Sequence, residues 1–150
     1  MTFNRDKDGY RLSDDASLLN QDAIYAYLKQ SYWANQREPH TQRIANRNSL
    51  CFGVYRDGQQ IGFARVVTDY ATFAYLADVY IDDAHKGHGL GKWLVQSIHA
   101  HPRLQGLRRW SLATLDAHGL YEQFGWKPMA NTERWMEIFD AKANPPLTAA

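Results

Sequence analysis

Gly87, Gly89 and Gly91 alternate between Lys86 and Lys92 in the run Asp82-Asp-Ala-His-Lys-Gly-His-Gly-Leu-Gly-Lys-Trp-Leu. Glycine has no Cβ and tolerates positive φ, so successive backbone N–H groups here can turn toward one point. A helical pattern opening at Leu90 adds unpaired first-turn N–H groups and the positive end of a helix dipole. That combination suits a phosphate or pyrophosphate, with Lys86 and Lys92 adding charge-assisted contacts around His88. A P-loop needs Ser or Thr after its Lys as a magnesium ligand, but Trp93 follows Lys92. A dinucleotide fingerprint needs Gly-x-Gly-x-x-Gly with an acidic residue about twenty positions on, and that spacing fails here. A glycine-rich turn without a ligand is the remaining alternative.

Other chemistry-bearing residues are sparser. Asp78 stands in the apolar run Tyr75-Leu-Ala-Asp-Val-Tyr-Ile. A carboxylate buried there needs a reason, either as a proton acceptor or as a hydrogen-bonded structural group. His85 and His88 are three apart and His99 and His101 two apart. No Cys or carboxylate set completes a zinc spacing, so no metal is expected. Cys51 is the single cysteine; within the run 50–55 it reads as a packed strand residue rather than a nucleophile.

The elements that would position these residues follow from periodicity. Residues 1–8 read as loose and 10–13 as a short strand. Ile24, Tyr27, Leu28 and Tyr32 recur at helical spacing over 20–33, with Asn20 or Ser17 as cap. Pro39 suits the first turn of a second helix to about Asn46. Residues 50–55 and 60–69 read as a hairpin around Asp57-Gly58, and 72–81 as a third strand of an antiparallel meander. A helix over 90–99 and a long strand over 107–114 make a βαβ unit, so 72–81 and 107–114 run parallel. A short helix over 117–124 closes at Gly125, and 135–139 reads as a last strand. The fold class is therefore α+β with a mixed sheet, in one domain over 1–140 with a disordered tail over 141–150.

The chain has 150 residues, 45% hydrophobic and 22% charged, which suits one globular domain. Its net charge of +1, without a basic run, argues against nucleic acid and membrane partners. The polar start and the single cysteine lead to an expected cytoplasmic location.

The segment Lys86 to Gly91 resembles the acetyl-coenzyme A signature of the GNAT superfamily of N-acetyltransferases. That signature is Arg or Gln, two residues, Gly, any residue, then Gly or Ala; Lys86, Gly89 and Gly91 take the three positions, with Gly87 as a frequent extra. Lys86 departs from Arg or Gln. Leu120-Tyr-Glu-Gln-Phe-Gly-Trp resembles the family's second signature, and the element order over about 10–139 follows the family. Where many members carry a cofactor-contacting Asn this chain has Thr114, and where many carry a Glu it has Tyr75.

The resemblance implies a three-layer fold whose two parallel strands splay apart. It implies acetyl-coenzyme A as cosubstrate, held by Val79, Ile81, Lys86, Gly87, His88, Gly89, Leu90, Gly91, Lys92 and Thr114. The Val79 N–H would face the thioester carbonyl. Tyr121 matches the general acid, against the alternative of a packed aromatic. The base is open between Asp78, His118 and a water chain. The acceptor is expected to be a small-molecule amine that attacks directly in a ternary complex. Its pocket would draw on Tyr32, Trp33, Arg65, Asp69 and Tyr70: Asp69 and Asp78 suit a cationic amine, Arg43 and Arg65 a carboxylate-bearing one. A protein Lys or N-terminal substrate and a coenzyme A sensor without turnover are the rivals. Homodimers are common among such proteins.

Overall fold

A computed structural model describes residues 1–144 of the protein. Six strands form one sheet in the order β1-β2-β3-β4-β5-β6. They are β1 (Asn4–Lys7), β2 (Tyr10–Ser13), β3 (Leu50–Arg56), β4 (Gln59–Thr68), β5 (Phe73–Ile81) and β6 (Arg109–Ser111). Every neighbouring pair is antiparallel except β5 and β6, which are parallel. The helices are α1 (Gln21–Leu28), α2 (Pro39–Arg47), α3 (Leu90–His99) and α4 (His118–Glu122). α3 is the crossover that the parallel pair requires.

The hairpin between β3 and β4 turns at Asp57 and Gly58, both at positive φ, which matches the twist of the flanking strands. Asp8 and Gly9 repeat this device, with φ of 51° and 85°. They turn β1 back onto β2, so the expectation of a loose start is corrected. β1 is a polar edge strand with alternating half-buried positions, and its turn dipeptide carried the only legible signal.

The two sheet faces bury different clusters. On one, Leu12, Phe52, Val54, Val66 and Leu76 pack with Leu94, Val95 and Ile98 of α3. On the other, Ile24 and Leu28 of α1 pack with Cys51, Phe63 and Tyr80. This gives three layers, helices on both faces of a mixed sheet. Asn20 caps α1 by accepting the Ala23 N–H at 3.0 Å. Asp14 accepts a hydrogen bond from the buried His101 ring at 2.8 Å, tying the end of β2 to the turn after α3.

Three element boundaries differ from the sequence expectation. α1 stops at Leu28, where Ser31 Oγ donates to the Leu28 carbonyl and accepts the Ala34 N–H. Those bonds give residues 29–36 a turn conformation in place of further helix. The strand expected over 107–114 pairs only at 109–111, because residues 112–114 leave β5. Residues 135–139 do not form a strand: Met136, Ile138 and Phe139 are exposed, and this segment makes no strand pairing. A strand needs a ladder partner for its backbone groups, and side-chain pattern alone does not supply one. In the expected tail, residues 141–144 form an exposed turn, and the rest lies outside the described residues.

Candidate active site

The central feature arises from a change of phase in β5. The Thr72 carbonyl accepts the N–H groups of Arg108 and Arg109, so it faces β6. The Asp82 N–H donates to Ile61 at 2.7 Å, so it faces β4. Backbone groups alternate direction along a strand, yet both residues are even-numbered. The phase therefore flips once between them. The register locates the flip: Phe63 pairs with Tyr80 and Arg65 with Ala77, leaving Ala64 opposite both Asp78 and Val79. This is a β-bulge, and Asp78 takes φ of 53°. Beyond it the N–H and C=O groups of Val79 and Ile81 turn away from β4. β6 is not there to receive them, because its pairing with β5 ends at Tyr75–Ser111.

The resulting cleft has two connected lobes. The lower lobe, about 730 Å³, runs from Lys86, Gly87, Gly89, Leu90 and Gly91 past Ile81 to Val79. The upper lobe, about 550 Å³, is walled by Trp33, Arg37, Arg65, Tyr75, Asp78 and residues 112–117. Tyr32, Trp33, Val79, Asp116, Ala117 and Tyr121 line both. Tyr32 closes one side, its hydroxyl accepting the Leu115 N–H at 2.9 Å.

At the lower end Gly87 and Gly89 have φ of 86° and 72°, and Gly89 is the N-cap of α3. No side chain caps this helix start, and a Cβ added at Gly87 or Gly91 would meet open space. The first-turn N–H groups are therefore exposed to a ligand. Lys86 pairs with Asp83 at 2.7 Å, and that hydrogen bond raises its pKa. His88 and Lys92 are exposed and do not line the cleft. Lys7, which the sequence did not single out, places Nζ 3.8 Å from the position a Gly89 Cβ would take.

Asp78 is the most constrained group in the site. Oδ1 accepts from Trp33 Nε1 at 2.9 Å and Arg37 Nη1 at 3.1 Å. Oδ2 accepts from Arg65 Nε at 2.9 Å, Arg37 Nη1 at 3.0 Å and Gln42 Nε2 at 3.1 Å. Burial pushes its pKa up, but Arg65, Arg37 and the hydrogen bonds outweigh that and hold it below the ordinary carboxylate value. Both oxygens are committed to donors, so the geometry favours an anchor for two arginines over the proton acceptor considered from sequence. Gln42 also donates to Asn46, and Asn46 to Gln21, which connects the bulge to α2 and α1. Arg37 and Gln42 were not read from the sequence; only the i, i+4 pairing of Gln42 with Asn46 on α2 hinted at a buried polar face.

Tyr121, on α4, is buried and lines both lobes of the cleft and a groove behind them. Burial, with a smaller contribution from Tyr32, pushes its pKa up to about 12. Its ring packs on Trp126 at 5.8 Å, and its hydroxyl makes no hydrogen bond among the described residues. Thr114 lines the upper lobe and its Oγ1 accepts the Ala117 N–H. Asp69 and Tyr70 lie away from the cleft. Asp69 accepts from the N–H groups of Ala71, Thr72 and Phe73, and Tyr70 lies under Arg103. His118 is exposed beside a groove of about 470 Å³ behind Tyr121. Among the described residues no group of His, Cys, Asp and Glu is placed to hold a metal ion, and no helix is long and apolar enough to cross a membrane.

A mixed sheet opened at a bulge above a glycine-rich helix start defines a class of acyl-transfer fold, and comparison with known proteins names it. The acetyltransferase (GNAT) family profile matches residues 17–126. A Gibberella zeae protein named as a candidate acetyltransferase is 36% identical, with 75% of each chain covered. A crystal structure of a candidate GNAT acetyltransferase from Xanthomonas campestris pv. campestris is 46% identical and superposes with a TM-score of 0.85, covering 87% of this chain and 93% of that one. An acetyltransferase structure from Clostridium acetobutylicum, determined with acetyl-CoA, shares the fold at 13% identity, with a TM-score of 0.61 and 93% and 96% of the two chains covered. The chain belongs to the GNAT family and is an N-acetyltransferase.

Proposed function

We propose that this N-acetyltransferase uses acetyl-CoA and acetylates the amine of a small molecule by direct attack within a ternary complex. The bulge carries the reading: it frees the Val79 and Ile81 backbone groups along a cleft that joins the glycine loop to Tyr121. Acetyl-CoA supplies an activated acyl group as a thioester. The first-turn N–H groups of α3, with Gly87, Gly89 and Gly91, fit its pyrophosphate. Val79 and Ile81 fit the amides of its pantetheine arm.

The Val79 N–H is a fixed donor where negative charge develops on the thioester oxygen, an interaction worth roughly 10²–10³ in rate in other acyl transfers. Tyr121 gives its proton to the departing sulfur; with its pKa pushed up, the phenol keeps that proton through neutral pH. The amine proton leaves to water, since Asp78 is saturated. The upper lobe of about 550 Å³ has the size of a small-molecule pocket, which supports a small acceptor over a protein.

Thermal melting with acetyl-CoA, CoA, ATP and NAD in parallel tests the cosubstrate. A ligand at about 100 times its Kd adds roughly 2.7 kcal/mol, so a stabilisation confined to the CoA pair is expected. No shift with either CoA form would sink the reading. CoA binding without thiol release for any amine would identify a sensor.

A further inference from the structure

We infer that the acceptor is an amine that also carries an anionic group, a carboxylate or a phosphate, and that Arg65 and Arg37 form the subsite for that anion. The inference rests on the proposed acetyl transfer and adds the chemical class of its substrate.

The argument begins with unequal charge. Arg65 and Arg37 side chains are 13% and 19% exposed, and both pair with the one carboxylate of Asp78, itself 1% exposed. Two guanidiniums against one carboxylate leave an excess positive charge in a largely buried place, where an unpaired charge is costly. Asp116 is the other acidic residue of the lobe, but it is exposed and pairs with neither arginine. A bound anion restores the balance.

Donor capacity agrees with charge. Arg65 uses Nε for Asp78 and Nη1 for Ser49 Oγ at 3.3 Å. Its Nη2 donates to no acceptor among the described residues. Arg37 reaches Asp78 and Gln42 through Nη1 alone. Both arginines line the upper lobe. A guanidinium presents its donors as a planar fork that matches an anion's oxygens, so the donors left over are free to meet one. Asp78, Gln42 and Trp33 hold that fork in place before any ligand arrives, so little order is lost on binding.

Position makes the subsite relevant to the reaction. Asp78 and Val79 are the two residues of one bulge. The first anchors the arginines, and the second turns its N–H into the cleft beside Tyr121. An acceptor held by its anion at Arg65 therefore has its amine within the same lobe as the acyl-transfer end.

Thiol release with acetyl-CoA should be compared for 3-aminopropanoate, 2-aminoethyl phosphate, propylamine and a neutral peptide amine. At least one anionic amine is expected to exceed propylamine by 10-fold or more in kcat/KM. The ratio of the carboxylate to the phosphate arm tells which anion fits. In Arg65→Gln that preference should collapse to within about threefold, mainly through KM, and Arg65→Lys should recover part of it. CoA-induced stabilisation in each variant checks that the fold and the lower lobe persist. Equal or better turnover of propylamine or the peptide amine by the unaltered protein overturns this inference and leaves acetyl transfer standing; that comparison decides even if the Arg65 variants do not fold. Absence of CoA binding would instead overturn the transfer reading itself.

Discussion

At the scale of single residues, the roles proposed for Tyr121 and Asp78, proton donor and anchor, predict different signatures. Tyr121→Phe removes the phenolic proton but keeps the ring against Trp126. We expect kcat to fall by about 10²-fold or more with the KM for acetyl-CoA little changed, read from steady-state thiol release. Because the folded phenol titrates at about 12, activity of the unaltered protein should not decline through pH 10 from loss of this proton. Asp78→Asn has a different signature. It strands Arg37 and Arg65 in a mostly buried site, and removing one partner of such a network costs about 3–5 kcal/mol. A large drop in the denaturation midpoint is expected. An unchanged midpoint with lost activity would restore Asp78 as a base.

At the scale of elements, the start of α3 separates backbone geometry from ligand contact. Gly89 sits in the left-handed region as N-cap, so Gly89→Ala should cost about 1–2 kcal/mol. Gly91 lies inside the helix with open space at its Cβ position. Gly91→Ala should leave stability unchanged or raise it by up to about 1 kcal/mol, since Ala is the better helix former. Ala is also what the family's signature accepts at this position, so CoA affinity should be retained. Calorimetric titration of CoA alongside thermal melting reads both. Lost affinity with stability retained would show that this chain, unlike the signature, has no room for the methyl group beside the bound pyrophosphate.

At the scale of the whole molecule, Cys51, Tyr55, Tyr80 and Tyr121 should weaken the fold in alkali. Burial, eased by Arg65 and reinforced by Asp78, raises Cys51 from 9.0 to about 12. Its thiol also donates to the Asn46 carbonyl at 3.4 Å. Tyr121 rises from 10.0 to about 12, and burial raises Tyr55 and Tyr80 as well. A raised folded pKa means the folded chain binds protons more tightly. The stability is complete below pH 9 and is lost as pH rises from there toward 12. At pH ~10.5 the Cys51 contribution is about 2 kcal/mol. Urea unfolding at stepped pH should show this decline, and Cys51→Ala should flatten its first part.

The sequence by itself determined the local devices. The Asp57-Gly58 turn, a helix cap narrowed to Ser17 or Asn20, the glycine run around Leu90 and the motif from Leu120 to Trp126 each rest on contacts a few residues apart, and those spacings are written in the chain. The antiparallel meander and the parallel return after α3 follow from the order of such elements. Tertiary structure alone decided what depends on pairing at long range. The bulge at Asp78–Val79 exists because β4 and β5 fall out of step, which no single-strand pattern reports. Arg37 reaches Asp78 across 41 positions, and Asp69, equally polar in sequence, is consumed by its own turn. The expected last strand found no ladder partner, since an apolar run specifies a face to bury but not a neighbour to bond.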